Sequence, residues 1–253
     1  MSLVGLGPGA ADLMAPRARQ VLTQAEVVVG YTTYIKLLDQ DIVQGKEVIS
    51  TGMTKEVDRC RAALDRACQG QATAIVCSGD SGIYALAGLV IELMEERGVV
   101  QEMDLQLIPG IPALAAAADS LGAPLMHDFA SISLSDLLTP WEVIEKRALA
   151  AAQADFVIVL YNPRSKTRTW QLENVRALVR RYRAAKTPVG VVKNASRPEE
   201  SIMLTTLEGL DTQSVDMKCT VIIGNSQTRR VGDWLLTPRG YDAKYDLAEH
   251  RGG

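Results

Sequence analysis

Ala72-Thr73-Ala74-Ile75-Val76-Cys77-Ser78-Gly79-Asp80-Ser81-Gly82-Ile83-Tyr84-Ala85-Leu86-Ala87-Gly88 decides how the rest of the chain is read. Its first six residues form a short apolar run that reads as a buried strand, and the apolar period from Ile83 to Met94 reads as a helix. A tight Gly-Asp-Ser-Gly turn then stands at the carboxyl end of a strand, where open α/β sheets hold their ligands. Such a turn presents backbone donors and acceptors with no bulky side chain in the way. The plainer alternative is a turn aspartate, Asp80, that hydrogen-bonds only its own backbone.

Working outward, Ser2 to Leu6 reads as a first strand, and Gly5-Leu6-Gly7-Pro8-Gly9 as a loop at its end. Pro8 stands in the turn, and the helix waits for Pro16 at its first position. The second strand, Glu26 to Val29, ends in Gly30-Tyr31 without the acidic residue that holds a ribose, and no Gly-Lys-Ser/Thr follows. A dinucleotide fingerprint and a phosphate loop are therefore disfavoured. A strand at Lys46 to Ile49 and a helix from Lys55 follow, with Thr54 as N-cap and Gly70 as the stop. Its stripe Val57, Cys60, Leu64, Ala67 explains Cys60 and Cys68 as packing residues.

Strand Asp104 to Ile108 leads through Pro109-Gly110-Ile111-Pro112-Ala113 to an alanine helix, Leu114 to Leu121, and to Gly122-Ala123-Pro124. These turn signals place a domain junction near residue 120. Residues 1–120 form one expected α/β domain with a mostly parallel sheet, and 121–253 a second with a mixed sheet. The second opens on a strand-like stretch, Leu125 to Leu134. Thr139-Pro140-Trp141-Glu142 carries a capping-box pattern before a helix to Ala152. Strand Asp155 to Leu160, the turn Tyr161-Asn162-Pro163-Arg164, a basic helix to Ala185 and strand Val189 to Lys193 come next. Strands at Met203 to Leu207, Thr220 to Gly224 and Trp234 to Thr237 close the fold, and a polar tail starts at about residue 242.

With 253 residues and a net charge of −3, the chain can bury a sizeable core and offers no global field for nucleic acid. Ser2-Leu3-Val4-Gly5 reads as a strand from the outset, and no apolar run reaches the ~18 residues that span a bilayer. A cytoplasmic protein with neither a membrane nor a nucleic-acid partner is expected. Cys60, Cys68, Cys77 and Cys219 show no Cys-x-x-Cys spacing and suit a reducing compartment. With only His127 and His250 as imidazoles, no metal site is expected.

The Gly5 to Gly9 loop, Ser78-Gly79-Asp80, Pro109 to Ala113 and Tyr161 to Arg164, in this order, resemble the tetrapyrrole methylase family over Ser2 to about Tyr241. Leu125 to Phe129, Ser131 to Trp141 and Pro188 to Lys193 point to its branch that methylates a precorrin at C-17. The resemblance implies two α/β domains with an active-site cleft between them, a homodimer, S-adenosyl-L-methionine as cofactor and a small-molecule tetrapyrrole substrate. The implied reaction converts precorrin-3B to precorrin-4, with ring contraction accompanying the methylation. The same step on a cobalt-loaded macrocycle stays open, as do a nucleotide-binding oxidoreductase and a non-catalytic tetrapyrrole carrier.

Carried over by position, Pro8, Ser78, Gly79, Asp80, Ile83, Pro112, Ala113, Asn162 and Ala195 are the implied cofactor residues. A sulfonium and an ammonium suit carbonyls and one carboxylate, which Gly79-Asp80 supplies, and small apolar walls suit adenine. Ring contraction calls for a general base. His127 or Asp128 is the candidate, against the alternative that His127 only fixes its strand. The acidic residue and lysine of the siroheme-type methylases fall on Tyr31 and near Met53, so that assignment does not transfer. The carboxylates of the implied substrate call for cations, and loop positions Arg164, Lys166, Arg168, Lys193, Arg197 and Arg239 are the candidates.

Overall fold

A computed structural model describes residues 1–245, so His250 and the rest of the expected tail from 246 lie outside the described residues. The chain divides into two compact units, Met1–Ala116 and Ala117–Gly253. Each is taken by itself.

The first unit holds strands β1 (Ser2–Gly5), β2 (Val27–Tyr31), β3 (Glu47–Thr51), β4 (Thr73–Cys77) and β5 (Gln106–Ile108). They form one sheet in the order β3-β2-β4-β1-β5, with every pair parallel. The interior strands are apolar on both sides because both faces are covered. On one face Val4, Val28, Ala74 and Val76 pack under α1 (Pro16–Gln24) and Ile42 of α3 (Gln40–Val43). On the other, Leu3, Val27, Val29 and Ile75 meet α4 (Glu56–Cys68) and α5 (Ala87–Glu96). A short α2 (Thr32–Ile35) follows β2. This alternation of inward residues fixes the register, since a one-residue slip would exchange the two faces.

The chain leaves β1 over one face toward β2 and leaves β4 over the other toward β5, although β1 and β4 are neighbours. A crevice therefore opens outside their carboxyl ends, the switch point of an open α/β sheet.

The second unit begins within α6 (Ala113–Leu121) and contains β6 (Gly122–Ala123), β7 (Phe129–Ser133), α7 (Trp141–Gln153), β8 (Val157–Tyr161), α8 (Gln171–Val179), β9 (Pro188–Lys193), β10 (Ser201–Thr206) and β11 (Cys219–Ile223). Its main sheet has the order β10-β9-β11-β8-β7. Only β7 and β8 run parallel there, and the other neighbours are antiparallel. One core cluster joins Ile158, Leu160, Val191 and Val221 to α7 and α8. Leu121 presses on the opposite face at Gly190, where a Cβ would lie 2.4 Å from its Cδ1. A small sheet of β12 (Arg229–Val231), β13 (Trp234–Leu236) and β6 completes the unit.

Several local expectations are corrected. The helix expected from Ile83 starts at Ala87, because 81–86 form bends and Tyr84 has a φ of +53°. Thr54 does not cap α4: its φ is +64°, its hydroxyl donates to the Met53 carbonyl, and Lys55 takes the N-cap position. The buried stripe of that helix runs through Arg59, Cys60, Ala63 and Leu64, leaving Val57 and Cys68 exposed. Pro140 is the N-cap of α7 with no side-chain cap bond, so Thr139 closes no capping box. The basic helix ends at Val179 rather than Ala185. His127 and Asp128 lie in the turn before β7, not on the strand.

Candidate functional site

The crevice of the first unit is built almost wholly from backbone. Gly7 donates its N–H to the Gly79 carbonyl (3.1 Å), and Gly79 donates back to the Gly7 carbonyl (2.7 Å). Both have left-handed φ values, +77° and +69°, which glycine adopts without steric cost. Gly5, Gly79 and Gly110 approach so closely that a Cβ on Gly110 would lie 2.2 Å from the Gly79 oxygen. The loops after β1, β4 and β5 are thereby held as one layer.

Asp80 fastens that layer. Its Oδ1 accepts the Gly82 N–H (2.8 Å), the local turn bond that was the plainer alternative, and its Oδ2 accepts the Gly110 N–H (3.1 Å) from the loop after β5. The carboxylate is half-buried and committed on both oxygens to backbone donors. Around it, Pro8 and Gly79 are buried, Ser78, Pro112 and Ala113 half-buried, and Ile83 is exposed. The structure thus brings the seven cofactor candidates of this unit onto its three neighbouring loops. Gly5, Gly7 and Gly110 belong with them and were not assigned from sequence. The signal was present in the Gly-x-Gly-Pro-Gly and Pro-Gly-Ile-Pro motifs, but which glycines touch depends on strand order.

The Gly7 and Gly79 backbone groups are spent on each other, and the neighbouring backbone leaves no space for a β-carbon on Gly5, Gly7 or Gly110.

In the second unit Asn162 follows β8 with a φ of +50°. Its amide donates to Ser133 Oγ (3.0 Å), and its carbonyl accepts from Arg168 Nε (3.1 Å). Ala195 follows β9 between Asn194 and Ser196, both left-handed. Arg168 is buried, and burial pulls its pKa below the ordinary guanidinium value, with Asp136 opposing.

The basic candidates divide by their partners. Lys193 pairs with Asp216 at 2.7 Å, and that hydrogen bond raises the ammonium pKa. Burial alone would raise Asp216, but Lys193, the Lys218 N–H and the Cys219 thiol hold it below the usual carboxylate value. Arg164 donates to the Thr169 and Thr212 carbonyls. Arg239 donates to the Met126 carbonyl (3.3 Å), beside His127. Arg197 is half-buried, and the exposed side chain of Lys166, for its part, makes no ion pair or hydrogen bond among the described residues, whereas Arg197 is not free of partners.

His127 Nδ1 accepts the Asp128 N–H at 2.8 Å and lies 3.5 Å from Asp128 Oδ2. A neutral imidazole with Nδ1 as acceptor carries its proton on Nε2, so its outer nitrogen is a donor. Asp128, 76% exposed, presents the free acceptor of the pair. Among the described residues no cluster of three His, Cys, Asp or Glu is placed to hold a metal, and no helix is long and apolar enough to cross a membrane.

Residues 1–211 match the family model described as Tetrapyrrole (Corrin/Porphyrin) Methylases. The chain belongs to that family, whose methyltransferases use S-adenosylmethionine. It is 49% identical over 241 residues to the probable cobalt-factor III C(17)-methyltransferase of Salmonella typhimurium strain LT2, covering 95% of this chain and 99% of that one. It is 40% identical over 245 residues to the precorrin-3B C(17)-methyltransferase of a Sinorhizobium species, covering 94% and 96%. Other curated relatives are longer, and the chain spans 46% to 54% of the length of three of them. The crystal structure of the methyltransferase CobJ superposes with a TM-score of 0.89 at 37% identity, covering 94% of this chain and 98% of that one. These findings agree with the expected pair of α/β domains, one parallel and one mixed.

Proposed function

We propose that the chain is an S-adenosylmethionine-dependent C-methyltransferase of cobalamin biosynthesis that converts precorrin-3B to precorrin-4. The observation that carries this reading is the glycine layer at the switch point of the first unit, zipped by Gly7 and Gly79 and fastened by Asp80 to Gly110. Bound there, S-adenosylmethionine supplies an activated methyl group. The protein's part is alignment: Pro8, Ser78, Gly79 and Asp80 fix one side, and Ile83, Pro112 and Ala113 give small walls. Positioning of this kind is worth up to ~7–11 kcal/mol of barrier in favourable cases.

Ring contraction needs a proton taken from a ring alcohol. Asp128 is the better placed base, and His127, donating outward through Nε2, orients it or the substrate. Lys166 is the most available cation for a propionate, while Lys193, Arg164 and Arg168 serve mainly to shape their loops. A homodimer in the cytoplasm is the assembly and place that the family analogy and the unpaired cysteines support.

A second reading has a specific observation behind it. The Salmonella relative at 49% identity is named for cobalt-factor III, so a cobalt-loaded macrocycle is the alternative substrate. Purified protein incubated with S-adenosylmethionine and either macrocycle tests both readings through S-adenosylhomocysteine release and a product one methyl group heavier. Pigment binding without S-adenosylhomocysteine release would support the carrier reading instead. No binding of S-adenosylhomocysteine would overturn the assignment.

A further inference from the structure

The second unit holds a cavity of about 500 Å³ at the amino end of β9. Pro188 opens that strand and Ala195 follows its far end, so the cavity and the Asn162–Ala195 loops stand at opposite ends of a strand roughly 20 Å long. Lys186, Arg229 and Arg230 line it together with Thr205, Thr206 and Thr228. Pro188 and Leu204 give it an apolar wall. Among the described residues no carboxylate lines it, although the chain carries a net charge of −3.

The lining groups differ in what they leave free. Arg230 is occupied by the Gly232 carbonyl (2.7 Å) and Asp233 (3.1 Å). Thr228 is locked: its hydroxyl accepts the Asn225 N–H (2.9 Å) and pairs with Thr237 (2.8 Å), and its Cβ sits against Gly224. Thr206 accepts the Gly209 N–H (3.1 Å), which leaves its own proton to donate. The side chains of Lys186 and Arg229 make no hydrogen bond or ion pair among the described residues. Two unpaired cations and the Thr206 hydroxyl thus meet one cavity of ligand size beside Thr228, whereas Thr205 shares the opposite face of β10 with Met203, which packs on the core. Charge-assisted hydrogen bonds to a multiply charged anion satisfy all three at once.

We infer that this cavity binds a compact polyanion bearing two or more phosphate or carboxylate groups, with Lys186 and Arg229 taking its charge and Thr206 donating to its oxygens. The site is separate from the cofactor loops and uses none of their residues. Calorimetric titration of the full chain in ~150 mM salt, with inorganic tripolyphosphate in one arm and citrate in the other, tests it. Saturable binding of either probe is expected, and the arm that binds names the phosphate or the carboxylate source. The double variant K186A/R229A weakens that binding by at least about tenfold, while methyl transfer and S-adenosylhomocysteine binding stay unchanged. Thr206→Val, which leaves every charge in place, weakens it by a smaller factor. Absence of binding in both arms, equal binding by the double variant, or displacement of the probe by S-adenosylhomocysteine would each overturn the inference.

Discussion

The two units solve the same problem, a sharp turn at the carboxyl end of a central strand, by different means. In the first unit Gly5, Gly7, Gly79 and Gly110 let three loops touch through backbone alone, and Asp80 ties them. In the second, Asn162, Asn194 and Ser196 are held at positive φ without any glycine. Asn162 is braced by Ser133 and Arg168 instead. In the glycine layer a side chain's place is taken by the backbone of the neighbouring loop, whereas at Asn162 the turn is held by side chains.

The difference can be broken most directly at Gly110. Gly110→Ala drives a methyl to within 2.2 Å of the Gly79 carbonyl, which neither backbone can yield. A stability loss above about 3 kcal/mol is expected, read by urea unfolding, with S-adenosylhomocysteine binding abolished. Asp80→Ala leaves two backbone N–H groups without their charged acceptor and costs about 3 kcal/mol. If Asp80 works by holding the Gly110 loop, S-adenosylhomocysteine affinity and stability fall together. A loss of affinity at full stability would show direct contact with the cofactor instead.

In the second unit the order of substitutions reverses what side-chain volume suggests. Asn162→Ala loses the Ser133 bond and leaves a β-carbon in the left-handed region, about 2 kcal/mol in all. Asn162→Gly loses the bond but not the backbone freedom, so it costs about 1 kcal/mol. Thermal unfolding of both variants checks the order.

Alkali separates the units more gently. Burial pushes the thiol of Cys60 up to about 12 and that of Cys77 up to about 11 in the first unit, and Cys219 to about 11 in the second. A raised folded-state value means stability that is complete below the ordinary thiol value of 9.0 and lost as the pH climbs toward 11. Amide exchange between pH 9 and 11 should loosen the first unit sooner, since it buries two such thiols. The smallest effect is chemical: iodoacetamide at pH 8 labels exposed Cys68 alone, with no change in stability.

Much of the architecture was legible because apolar runs such as Val27-Val28-Val29 and Ile75-Val76-Cys77 can be satisfied only between two covered faces. Proline at Pro16 and glycine at Gly70 marked helix ends for equally local reasons. Helix starts were misplaced where a turn intervened, as at Tyr84, since an apolar period cannot reveal a left-handed residue inside it. Thr139 and Thr54 had the right chemistry for caps and the wrong backbone.

From the amino-acid order alone came the parallel and mixed sheets, the family resemblance and the glycine loops, all of which rest on residues near one another in the chain. Tertiary structure decided that Asp80 reaches Gly110 and that Asp216 takes Lys193. Those outcomes depend on strand order and on which loops meet at a sheet end. Partners 23 or 30 residues apart leave no periodic trace, because nothing in the local chain links them until the strands have paired.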